Sequence, residues 1–66
     1  MYEDEQLIKY IGKKMEPELK REIENSFVPY RVKICGAHMF YYKEYIHNII
    51  RCLIDSKGTI VNVAFN

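Results

Sequence analysis

Leu7, Ile11, Met15, Leu19 and Ile23 recur every four residues, with Ile8 broadening the stripe and charged residues filling most of the gaps. A repeat of four at this density predicts helix with one apolar face and an opposite solvated face. Pairs such as Glu5–Lys9, Glu16–Lys20 and Lys20–Glu24 support it from the outside. Pro17 interrupts the pattern, because a proline inside a helix removes a backbone hydrogen bond and clashes with the preceding turn. It fits the first turn of a new helix, beside Glu18 where the helix dipole favours an acid. The stripe is therefore two short helices, roughly 3–14 and 17–25, or one helix kinked at Pro17. Either way, an apolar ridge is made that something else in the chain must cover.

The cover comes from the other half of the sequence. Val28, Tyr30, Val32 and Ile34 alternate with Pro29, Arg31, Lys33 and Cys35, the period of a half-buried strand. Pro29 stands at its start, where a missing N–H is tolerated. Gly36-Ala37 matches the glycine-first loop of a two-residue hairpin. That hairpin would set Lys33 opposite Phe40 and Arg31 opposite Tyr42.

Residues 41–54 read two ways. Tyr41, Tyr42, Tyr45, Ile46, Ile49, Ile50, Leu53 and Ile54 form apolar pairs separated by polar ones, a helical pattern that Gly58 would close as its C-terminal glycine. The residue types are poor helix formers and mostly good strand formers. Asp55-Ser56-Lys57-Gly58-Thr59 matches a type I turn followed by a glycine bulge, and Ile60, Val61 and Val63 beyond it alternate as a strand. The hairpin reading is preferred, with Ile46, Ile50, Cys52 and Ile54 on one face. The expected fold is thus α+β, an N-terminal helical segment packed on an antiparallel sheet of three to four strands. The alternative is an αβαβ order with residues 40–55 helical and a right-handed crossover.

Size and charge narrow the function classes. The 66 residues make a single small domain over 1–66. It would bury roughly 60% of its unfolded surface, for a net stability of about 3–5 kcal/mol. With 48% hydrophobic and 29% charged residues and a net charge of +1, the chain is neither disordered nor drawn as a whole to nucleic acid or anionic membrane. Charge is nonetheless uneven. Residues 1–26 carry seven acids against five bases, and residues 27–66 five bases against two acids. No apolar run approaches the ~18 residues of a membrane span, and the acidic opening MYEDEQ is unlike a signal peptide. The expected location is cytoplasmic, where Cys35 and Cys52 are free thiols.

Chemistry-bearing patterns are sparse. Cys35, His38, His47 and Cys52 supply four potential ligands in eighteen residues, but eight residues between the pairs is shorter than the dozen or so of zinc fingers. They form only a weak metal alternative, against the reading of ordinary thiols and histidines. No nucleophile has an orienting partner and no glycine-rich phosphate loop exists, since Gly12, Gly36 and Gly58 are isolated. The chain reads as a non-enzyme without cofactors. What remains is a sheet face bearing Arg31, Lys33, Phe40, Tyr42 and Arg51. Cations beside aromatics suit the centre of a protein interface, and equally a surface that stacks bases and neutralises phosphates. The preferred expectation is a small regulatory protein or inhibitor that binds a larger protein partner. The alternative is a nucleic-acid-binding module. A homodimer is also expected, because strand 59–65 has neither charge nor proline to protect an open edge.

Overall fold

A computed structural model of the chain describes residues 2–36 and 48–65. In order they form a 3-10 helix over Asp4–Tyr10, α1 over Pro17–Ser26, β1 over Arg31–Cys35, β2 over Ile49–Ile54 and β3 over Ile60–Phe65. The α+β class holds: two N-terminal helices lie against a three-stranded sheet of order β1-β2-β3.

The first helix departs from the stripe of fours. Leu7 and Tyr10, three residues apart, are buried, while Ile8 is 59% and Ile11 43% exposed. A 3-10 helix has three residues per turn, so Asp4, Leu7 and Tyr10 align on one ridge and Ile8 and Ile11 leave it. Ile11 leaves the helix altogether, with extended backbone, and Gly12 follows at φ +92°. Residues beyond it run as backbone along β3: Gly12 N–H donates to Ile60 O (2.8 Å), Ile60 N–H to Lys13 O (2.8 Å) and Met15 N–H to Gly58 O (2.8 Å). Pro17 then opens α1 as a separate helix. Ile23 is its fully buried residue, and Leu19 packs half-buried against the same core.

The sheet is mixed, which corrects the antiparallel expectation. β1 pairs with β2 in parallel, Lys33 beside Arg51 and Ile34 beside Cys52, and β2 pairs with β3 antiparallel. The partner expected for β1 across Gly36-Ala37, including Phe40 and Tyr42, lies outside the described residues. Residues 49–54 are strand, so the helical alternative over 40–55 fails there. The turn chemistry explains why. Asp55 Oδ1 accepts the N–H groups of Lys57 (2.8 Å) and Thr59 (2.9 Å), and Gly58 takes φ +84°, closing the hairpin with side chain and glycine together.

One face of the sheet carries the core. Val32, Ile50, Cys52, Ile60 and Val63 meet Leu7, Tyr10, Ile23 and Phe27. Ile60 and Val63 are three apart yet share this face. The register passes from Leu53–Asn62 to Ile54–Ile60, so Val61 is an extra residue that resets the alternation. Beside this core, Tyr2 packs against Phe27, Tyr30 and Phe65 at centroid separations of 5.2, 5.8 and 5.9 Å. Among the described residues no helix is long and apolar enough to cross a membrane.

Candidate functional site: the second face of the sheet

Side chains alternate along a strand, so the register defines what shares the face opposite the core. On β1 these are Arg31, Lys33 and Cys35, on β2 Ile49, Arg51 and Leu53, and on β3 Asn62 and Ala64. Lys33 and Arg51 are register partners, about 5 Å apart as neighbouring strands are. Arg31 stands one step along the same side of β1, beside Ile49. Arg31 and Arg51 are exposed, and Lys33, Ile49 and Leu53 are half-buried. The structure thus gathers three of the five expected binding residues on one face, and no Asp or Glu is among the described residues of that face. Phe40 and Tyr42 lie outside the described residues. Ile49 and Leu53 lie beside Arg31 and Cys35 through the parallel β1–β2 pairing, which no local pattern announces, and Ala64 lies beside Arg51 through the antiparallel hairpin.

Glu24 borders this face. From the third turn of α1 it reaches the outer edge of β1, where its Oε2 accepts the Val32 N–H at 3.0 Å and meets Lys20 Nζ at 3.3 Å. In the parallel ladder Arg31 N–H bonds inward to Asn48 O (2.9 Å), so the Val32 N–H points away from β2 and needs an acceptor elsewhere. The carboxylate supplies it. That hydrogen bond holds the Glu24 pKa below its ordinary value against the opposing effect of burial, with Lys20 and then Arg31 adding to the lowering.

The cysteines do not converge. Ile34 and Cys52 are register partners, so Cys52 faces the core and Cys35, one residue on, faces the other way. His38 and His47 lie outside the described residues, and no metal-binding cluster is found among the described ones. Both thiols are free and buried. Desolvation, with Cys35 nearby, pushes the Cys52 thiol up to about 11.

No family model, curated protein or solved structure matches this chain.

Proposed function

We propose that the protein is a small non-catalytic binding protein that regulates a larger protein partner by docking on it through the β1–β2 face. The observation that carries this reading is the cluster of Arg31, Lys33 and Arg51 beside half-buried Ile49 and Leu53. Arginine amid apolar side chains is the composition of interface centres, where a guanidinium both packs and pairs. The partner surface is correspondingly acidic, since like charges across an interface are costly. A nucleic-acid role is less well supported. Stacking platforms need rings beside the cations, and that reading rests on Phe40 and Tyr42, which lie outside the described residues.

Affinity purification from the native host, repeated with Arg31→Glu and Arg51→Glu, tests the proposal. A protein partner is expected to co-purify and each substitution to weaken it by about 2 kcal/mol, with the thermal melt unchanged for Arg51→Glu and lowered somewhat for Arg31→Glu, whose new acid stands near Glu24. Recovery that nuclease abolishes and salt steeply suppresses would favour nucleic acid. Binding indifferent to both arginines would place the interface elsewhere.

A further inference from the structure

The outer edge of β3 is covered by the chain's own N-terminal segment, and that cover is held differently from everything beneath it. The expected open edge is not open. The Ile60 N–H donates to Lys13 O, the Val63 N–H to Asn62 Oδ1 (2.9 Å) and the Phe65 N–H to Asp4 Oδ1 (3.0 Å), all acceptors outside the ladder. Edge pairing of two intact β3 strands therefore lacks donors at these three positions.

The cover has two parts that meet at Gly12. Residues 13–15 lie on β3 through backbone hydrogen bonds, continuous with the sheet. Residues 2–11 are anchored by side chains: Leu7 and Tyr10 in the core, Asp4 on the Phe65 amide, and the Tyr2 ring among Phe27, Tyr30 and Phe65. Tyr2 adds a hydroxyl donated to Val28 O (3.0 Å). The local geometry of this segment is weak. Its seven-residue 3-10 helix exceeds the three or four residues at which such helices usually stop, and Glu5, Gln6, Ile8 and Lys9 face solvent. Between the parts, Gly12 sits at φ +92°, a conformation that suits glycine, with its N–H on Ile60 O, and a single backbone bond, Lys13 N–H to Tyr10 O (3.1 Å), spans it.

We propose that residues 2–11 form a strap that opens about Gly12 as one unit and exchanges between two copies of this chain. Lifting the strap leaves the Phe65 N–H, the cleft for Leu7 and Tyr10 and one side of the ring cluster uncovered together. The segment shaped to refill that site is the strap of a second copy, so the dimer reuses existing contacts and creates no new interface, as in domain swapping. The swapped surface is remote in kind from the basic face, and its failure would leave the docking proposal untouched.

Native-state hydrogen exchange tests the opening. The amides of Gln6, Ile11 and Phe65 are expected to share one opening with a common denaturant dependence smaller than that of global unfolding, and at least about tenfold faster than that of the Ile23 amide in α1 or of the β2 ladder. Exchange of all of them at the global unfolding rate would overturn the strap. Light scattering tests the swap, using a chain lacking Gly12 so that the strap cannot fold back on its own sheet. A dimer of twice the 7.9 kDa chain mass is expected, and a folded monomer overturns it. If the shortened chain does not fold, the wild-type protein is held at millimolar concentration near its melting temperature and then cooled. A slowly dissociating dimer is expected, and monomer alone refutes the exchange.

Discussion

Replacing Glu24 tests the reasoning about the edge of β1 directly. The carboxylate holds the Val32 N–H at 3.0 Å and Lys20 Nζ at 3.3 Å. Glu24→Ala leaves the part-buried amide without its acceptor, and a hydrogen bond to a charged group is worth about 1.5–3 kcal/mol. Loss of the i,i+4 pair adds roughly 0.3–0.5 kcal/mol, since Lys20 is substantially exposed. Alanine's better helix propensity returns a few tenths. The net loss is about 2 kcal/mol, which lowers the melting temperature of a domain this size by roughly 8–16 °C. Glu24→Gln keeps an acceptor oxygen and loses only the charge, so about 1 kcal/mol is expected. Lys20→Ala, the control for the ion pair, should cost under about 0.5 kcal/mol. The pH dependence follows from the lowered pKa. The unfolded chain binds the proton first, so Glu24's contribution is fully present above its unfolded pKa and is lost as pH falls through the lower folded value. Between about pH 5 and pH 3 the wild-type melt should therefore drop further than that of Glu24→Gln. Thermal denaturation followed by circular dichroism across that range measures both. An alanine variant melting within about 2 °C of wild type, or parallel pH profiles for wild type and glutamine, would refute the edge-cap account.

Ile23→Ala removes a fully buried side chain under the sheet and should cost roughly 2–4 kcal/mol, leaving most of so small a domain unfolded at 37 °C; retention of the wild-type melt would show that α1 does not cover the core. Gly58→Ala strains a residue at φ +84° and should cost about 1 kcal/mol or more, read from urea unfolding midpoints. The Cys52 thiol, raised to about 11 by burial, should resist iodoacetamide at pH 8 until denaturant is added; prompt alkylation of Cys52 in the native protein, located by mass spectrometry, would contradict its placement in the core.

How much of this was legible in the sequence follows the range of each interaction. Pro17 announces a helix start because its constraint is covalent, and Asp55 to Thr59 announce a hairpin because the Asp55 carboxylate closes its own turn within four residues. The Leu7–Ile11 spacing misleads. It scores as α-helix, whereas the chain tightens to three residues per turn and brings Tyr10 rather than Ile11 inward. Backbone bonds from residues 12–15 to β3 require the helix to end there, and nothing within residues 3–14 encodes them. Pairing was legible only where it is local. The β2–β3 hairpin shows in its turn, but the parallel pairing of β1 with β2 joins strands thirteen residues apart in sequence and has no local signal. Of the candidate site, alternation alone sets Arg31 and Lys33 on one face, and Arg51 joins them through the parallel register. Glu24 was hidden among seven N-terminal acids, since its partner is a backbone amide rather than a patterned side chain.

The mixed sheet also orders events in time. β2 and β3 are joined through Asp55–Thr59 and can zip locally, whereas β1 meets β2 only when chain ends separated by the thirteen residues 36–48 are brought together. Loop entropy alone makes that closure about 0.8 kcal/mol harder than closing five residues, and a hairpin forms within about 1–10 μs. Changes in the 55–59 turn then act mainly on the folding rate, as they touch contacts made early. Changes where α1 holds β1 act mainly on the unfolding rate, which makes β1, paired among the described residues with β2 alone, the first part of the sheet to let go.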